Sequence, residues 1–173
     1  MSTSSKLPSF IKRLPDSLVD QIAAGEVVER PVSVVKELIE NSLDAYAKNI
    51  TIEVAKGGTN FIAVSDDGTG LDPRFIKNAL SRHWTSKLEN FDDLRMLRTF
   101  GFRGEALASI ASVATLTITS RVRGEQAWMV TSSPNSVLPS PIPAKGNFGT
   151  RIEVRELFHN VPVRRRFLKQ PRT

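Results

Sequence analysis

Residues 49–70 read NITIEVAKGGTNFIAVSDDGTG. Ile50, Ile52 and Val54 alternate with Thr51 and Glu53, the period of a strand. KGGTN supplies turn residues, and Phe61 to Val64 form a second apolar run, so the segment predicts a β-hairpin. Upstream, VSVVKELIENSLDAY (32–46) places Val34, Val35, Leu38, Ile39, Leu43 and Tyr46 at helical spacing, one stripe toward a core. Pro31 stands where a first helical residue is tolerated. Earlier still, Asp16 or Ser17 can cap a short helix through Leu18, Val19 and Ile22 that Gly25 is expected to end. Residues 1–13 are expected to be a flexible polar segment, with residues 14–173 forming one domain.

Downstream, Asp72 and Pro73 start another helix through Phe75, Ile76, Ala79 and Leu80. Residues from about 81 to 107 mix a short helical stretch, FDDLRML, with TSK and GFRGE, and few of them demand burial. They suit a long excursion that closes over a ligand. EALASIASVA then reads as helix, while TLTITSRV, AWMVTS and TRIEVREL read as strands. SPNSVLPSPIPAKGNFG is a proline-rich loop of extended character, and NVPVRRRFLKQPRT begins a basic helix. Hairpins without regular β-α-β alternation predict an α+β, two-layer sandwich: a mostly antiparallel mixed β-sheet with helices on one face.

The 173 residues, 40% hydrophobic and 24% charged, suffice for one domain with a real core. There is no cysteine, hence no disulfide or thiolate metal site, which suits a reducing compartment. MSTSSKLPSF lacks the apolar core of a signal peptide and no run reaches membrane-spanning length, so a cytoplasmic protein without membrane contact is expected. A net charge of +6 favours a polyanionic partner, nucleotide or nucleic acid.

Four local patterns carry chemistry. Glu37, Asn41 and Asp44 are spaced i, i+4, i+7 and share a helical face. That is either a solvated polar face or a carboxylate base beside an amide that can ligate a hard cation such as magnesium. DDGTGL follows a strand directly. Asp66 is an acceptor fit for an exocyclic amine, and Gly68 and Gly70 let backbone approach a flat ligand, although a plain turn has the same look. In TFGFRGEAL, Gly101 and Gly104 bracket Arg103 before a helix starting at Glu105 to Leu107. The turn is a phosphate cradle or simply a helix cap, and Thr85, Ser86 and Lys87 can add a hydroxyl and a cation. No Walker sequence occurs. Gly149 and Thr150 head a strand and say little alone. His83 and His159 lack partners at metal spacing, and no covalent nucleophile suggests itself.

Taken in order, E-x-x-x-N on a helix, D-x-G-x-G after a hairpin, a long loop ending in a glycine-rich turn, and G-T before a strand resemble the GHKL ATPase superfamily. That group holds type II topoisomerase ATPase subunits, the ninety-kilodalton heat-shock chaperone, sensor histidine kinases and MutL. Within it, QIAAGEVVERPVSVVKELIENSLDA, TSK, GFRGEALASIASV and LFHNVPVRRRFL are similar to MutL, the DNA mismatch repair family, from about Leu14 to Leu168.

The resemblance implies a Bergerat-type ATP-binding fold and the cofactors ATP and Mg2+. It makes Glu37 the general base that activates water and Asn41 the magnesium ligand. Asp66 takes the adenine amine with Gly68 and Gly70 giving the base room, and Thr150 stands on the adenine side. A lid over 81–107 wraps phosphate with Thr85, Lys87, Gly101, Arg103, Gly104, Glu105, Ala106 and Leu107. It further implies a slow, switch-like ATPase that homodimerises in the intact protein and coordinates the mismatch-recognition protein MutS with a downstream nicking enzyme and helicase. This stretch is expected to stop before a second domain and a C-terminal dimerisation domain, and to be monomeric without ATP. Trp84 departs from the small residue expected of bacterial relatives and touches the expected lid. A separate possibility is a non-catalytic nucleic-acid module. It would give weak, non-specific DNA contact through Arg164, Arg165, Arg166 and Lys169, with Arg121, Arg123 and Arg151.

Overall fold

The structure, a computed structural model, describes residues 13–15, 19, 22, 24, 25, 27–81, 84 and 104–168. β1 (Ile50–Ala55) and β2 (Phe61–Asp66) form the predicted antiparallel hairpin, with one 3-10 turn, Lys56–Gly58, between them. β3 (Thr115–Arg121), β4 (Ala127–Ser132), β5 (Ile142–Ala144) and β6 (Gly149–Arg155) complete a six-stranded sheet in the order β1-β2-β6-β3-β4-β5. Every pairing is antiparallel. β6 therefore inserts between two hairpins and joins them. β5 rises from the proline-rich loop as a short edge strand, the position where Pro143 does least harm to a ladder.

The inner face of the sheet is built in rows. Val64, Ile152, Ile118 and Val130 stand side by side in register, and Ile62, Val154, Leu116 and Ser132 form the next row. All eight are buried, and each fully buried Ile or Leu among them contributes about 1.5–3 kcal/mol. One step further, on the same face, the row changes character: Asp66, Thr150 and Ser120 are register partners across β2, β6 and β3.

Helix α1 (Pro31–Asp44) starts at Pro31 as expected and buries Val34, Leu38 and Ser42 against this sheet. The expected stripe is corrected at its far end. Leu43 is 42% and Tyr46 83% exposed. Tyr46 lies past the helix end at Asp44, at φ 59°, while inside the helix the inward line runs Val34, Leu38, Ser42 at spacings of four and leaves Leu43 beside it. α2 (Pro73–Ile76) is capped by the Asp72 carboxylate, which accepts from Arg74 N, and continues as a 3-10 turn, Asn78–Leu80. α3 (Ala106–Ala111) precedes β3, and α4 (Pro162–Phe167) follows β6.

The hairpin stands as expected, and one expectation, at Gly25, fails. Ile52 and Val54 are 44% and 51% exposed, because β1 is a sheet edge and alternation alone does not say that a face is covered. Gly25 does not end the N-terminal helix, since Gly25 and Val27 are both helical and Val28 N donates to Ala24 O. Its lack of a side chain serves packing instead: a Cβ there would overlap the Arg164 guanidinium of α4. Asp16, Ser17 and Leu18, the rest of that expected helix start, lie outside the described residues. Among the described residues no helix is long and apolar enough to cross a membrane.

Candidate nucleotide-binding site

Asp66 ends β2 at the polar row, and its carboxylate is held from three directions. Ser42 Oγ of α1 donates to Oδ2 at 2.8 Å, Gly68 N donates to Oδ1 at 2.9 Å, and Thr150 N donates to Oδ1 at 3.2 Å. A carboxylate offers about four acceptor positions, two on each oxygen. Two are filled on Oδ1 and one on Oδ2, so the remaining position lies on Oδ2, beside Ser42. What this leaves is one fixed acceptor for a donor such as an exocyclic amine.

Thr150, the next residue in the row, is tied to Ser120. Their hydroxyls lie 2.8 Å apart, Ser120 Oγ reaches Gly149 O at 3.1 Å, and Leu71 N donates to Ser120 Oγ at 2.8 Å. Ser120 is 2% exposed, so an unmade bond there would be costly. It connects three pieces at once: β3, the head of β6, and the exit of the D-x-G-x-G turn. Neither Ser42 nor Ser120 was marked by the sequence motifs. The available signals were a hydroxyl at i+4 from Leu38 on the buried stripe, and a serine at the inward position that closes the alternating run TLTITS.

The glycines of the turn serve close approach. A side chain on Gly68 would strike Ala45 at the C-terminal end of α1, and one on Gly70, at φ 75°, would strike the Arg121 carbonyl. Thr69 N donates to Ala45 O at 2.9 Å, which stitches the turn to the helix end. Asp67 faces the other way. Its carboxylate accepts from Asn49 N, Asn49 Nδ2 and Lys48 N at 2.7 to 2.8 Å. The Asn49 backbone, the Asn49 amide and the Lys48 backbone together hold the Asp67 carboxyl at about 2, below its ordinary 3.8. Of the two adjacent aspartates, Asp67 is structural and Asp66 faces the site.

Glu37, Asn41 and Asp44 are half-buried on α1, flanking the Val34–Leu38–Ser42 stripe on one side. Asn41 directly precedes Ser42, so the amide-bearing face of the helix adjoins the face that grips Asp66. The donor set fits a magnesium nucleotide: an amide oxygen is a hard ligand that leaves most of the shell to phosphate and water, and Asp66 offers the base an acceptor. Gly104 turns at φ 61° into α3, with Glu105, Ala106 and Leu107 half-buried at its start. Thr85, Lys87, Gly101 and Arg103, and with them most of the expected lid, lie outside the described residues, as does His83. Trp84 is 55% exposed. His159 sits with Nδ1 3.2 Å from Glu156 O in the turn after β6.

The arginines proposed for nucleic acid are engaged unequally. Arg151 binds Glu53 at 2.6 Å, Glu153 at 2.9 Å and Ser65 at 2.8 Å. Arg121 Nε donates to Glu125 O at 2.8 Å, and Arg123 stacks over Phe148 at 4.5 Å. Arg164 turns inward over Phe158 at 5.6 Å, its Nη1 buried without a hydrogen-bond partner among the described residues. Arg165 is half-buried, Arg166 is exposed, and Lys169 lies outside the described residues.

Residues 29–138 match the family described as histidine kinase-, DNA gyrase B- and HSP90-like ATPase. The DNA mismatch repair protein MutL of Coxiella burnetii is 50% identical over 164 residues, covering 95% of this chain and 29% of that protein. MutL of Shewanella piezotolerans is 52% identical, over 94% of this chain and 26% of its own length. The chain thus spans under a third of these relatives. Among solved structures, the Aquifex aeolicus MutL ATPase domain complexed with ADP superposes with TM-score 0.65 at 34% identity, covering 83% of this chain and 49% of that one. The N-terminal domain of a DNA repair protein gives 0.71 at 34% identity, over 86% and 42%.

Proposed function

The chain belongs to the histidine kinase-, DNA gyrase B- and HSP90-like ATPase family, in its MutL branch, and on that footing we propose that it binds ATP with Mg2+ and hydrolyses it slowly as a conformational switch of DNA mismatch repair. The observation that carries this is the Asp66 carboxylate, fixed by Ser42, Gly68 and Thr150 with one acceptor position left, beside a helix that bears Glu37 and Asn41.

In this proposal Asp66 accepts from the adenine amine, Gly68 and Gly70 keep side chains away from the base, and Thr150 borders it. Asn41 supplies an oxygen to the cation. Glu37 takes the proton of the attacking water, the role of a positioned general base. Bound Mg2+-ATP contributes the scissile phosphoryl group and the charge that neutralises it. Thr85, Lys87, Gly101, Arg103, Gly104, Glu105, Ala106 and Leu107 form the phosphate side, and their closure with nucleotide is an order–disorder switch. In the intact protein that switch drives homodimerisation and contact with MutS and with the nicking enzyme and helicase. The setting is cytoplasmic, with weak, sequence-independent DNA contact through Arg165, Arg166 and Lys169. Arg164, packed inward, contributes to the fold rather than to that contact.

Calorimetric titration with a non-hydrolysable ATP analogue and Mg2+, on the wild type and on Asp66→Ala, tests the assignment. Binding by the wild type that vanishes in the variant supports it. A folded wild type that binds no analogue would remove the nucleotide assignment.

A further inference from the structure

We propose that Ser42 and Ser120 are the positioning residues of base recognition, two buried hydroxyls that fix Asp66 and Thr150 so that the site takes a 6-amino rather than a 6-oxo purine. The proposal rests on the nucleotide assignment above and adds to it the device that sets base selectivity.

Ser42 is 2% exposed on a helix whose other inward residues are Val34 and Leu38. A hydroxyl in that stripe is an unfavourable choice for the core unless it is bonded. It has one hydrogen and two acceptors within reach: Leu38 O at 3.1 Å and Asp66 Oδ2 at 2.8 Å. The shorter bond runs to the carboxylate, and charge-assisted bonds are the stronger kind. Ser42 therefore fills one position of Oδ2 and, together with Gly68 N and Thr150 N on Oδ1, fixes the carboxylate about its intrinsically soft terminal torsion, Ser42 being the one donor that holds Oδ2. The remaining Oδ2 position can only accept. An amine at the purine 6-position suits it, whereas a 6-oxo group would set oxygen against oxygen. A 6-oxo purine also carries an N1–H donor, and a carboxylate freed to rotate could meet it.

Ser120 performs the matching service on the other side of the row. Leu71 N donates to it, it reaches Gly149 O, and it holds the Thr150 hydroxyl at 2.8 Å. The Thr150 backbone N–H in turn contacts Asp66 Oδ1, so a shift of β6 at Thr150 would be felt at the same carboxylate.

The experiment compares ADP and inosine diphosphate, titrated with Mg2+ into the 173-residue chain as wild type, Ser42→Ala, Ser42→Thr and Ser120→Ala, each first melted without nucleotide. Ser42→Ala is expected to weaken ADP about tenfold and inosine diphosphate by less than about threefold, narrowing their ratio, while Ser42→Thr keeps the wild-type ratio. An unchanged ratio overturns the proposal, whether ADP binding stays the same or both nucleotides weaken together as a merely structural role would have it. If Ser42→Ala does not fold, the same comparison on Ser120→Ala decides, with the same narrowing expected. A wild type that binds neither nucleotide fails earlier, at the nucleotide assignment itself.

Discussion

The guanidinium of Arg164 occupies the space that a side chain at Gly25 would need, and it lies over the Phe158 ring at 5.6 Å. The N-terminal helix and α4 are thereby locked together by an absence and a cation. Replacing Gly25 by alanine has two opposed effects. Alanine favours a helix interior by about 0.8–1 kcal/mol over glycine, and the displaced arginine loses a cation–π contact of about 0.5–1 kcal/mol. In the wild-type background Gly25→Ala should therefore be near neutral. In an Arg164→Ala background it should stabilise by about 0.5–1 kcal/mol. A double-mutant cycle by denaturant melting checks this, and simple additivity of the two substitutions would remove the contact from consideration.

Gly25 also marks where sequence and structure part. A glycine after an apolar helical run predicts its end, because that is what local geometry rewards; the partner that gives Gly25 another use lies far along the chain, in α4. The hairpin 50–66, the Pro31 start, the Asp72 cap and strands β3, β4 and β6 were legible because their periods and punctuation are local. Asp66 was legible from its motif. Its three donors were not, since Ser42 and Thr150 reach it only through α1 packing and the β2–β6 register. Exposure of Ile52 and Val54 depends on β1 being an edge, which no window of sequence states.

Gly149 should be far less replaceable than Gly124. Both have positive φ, 102° and 82°, so any L residue is strained at either. Around Gly124 a Cβ would meet nothing within 4 Å, whereas at Gly149 it would drive into the Asp66 backbone carbonyl, which pairing with β6 holds in place. Gly124→Ala should cost about 1 kcal/mol from backbone strain alone. Gly149→Ala should cost about 2–4 kcal/mol and weaken nucleotide binding with it. Parallel denaturant melts and an ADP titration distinguish the two positions; equal losses would mean that backbone strain, not the approach to Asp66, governs both.

Acid stability should report Asp67. Its carboxyl is held at about 2 against an ordinary 3.8, so the fold binds this proton less readily than the unfolded chain does. Stability from it is fully present above the unfolded value and is lost as pH falls from 3.8 toward 2. Asp72, held near the same value by the Arg74 side chain and backbone, adds to the loss in that window. Asp67→Asn should lower the melting temperature at pH 7 and flatten its fall through the window, and adding Asp72→Asn should flatten it further. Melting curves from pH 6 to 2 that run parallel in wild type and Asp67→Asn would contradict the assignment of this titration to Asp67.

Glu37 provides the sharpest separation of binding from chemistry. It lies one turn before Asn41 on α1, and none of the three donors to Asp66 comes from it. Truncating it should therefore leave the base-binding end intact. A positioned general base contributes about 10²–10⁴ to a rate, so Glu37→Ala should reduce ATP turnover by that order while analogue affinity stays within about threefold. The reference rate is itself low in the slow, switch-like ATPase proposed above. Long-incubation assays with labelled ATP, beside analogue titration, give both quantities on the same samples. Equal turnover in wild type and Glu37→Ala would move the general base elsewhere, whereas loss of turnover and analogue binding together would make Glu37 a residue of the binding site rather than of the proton transfer.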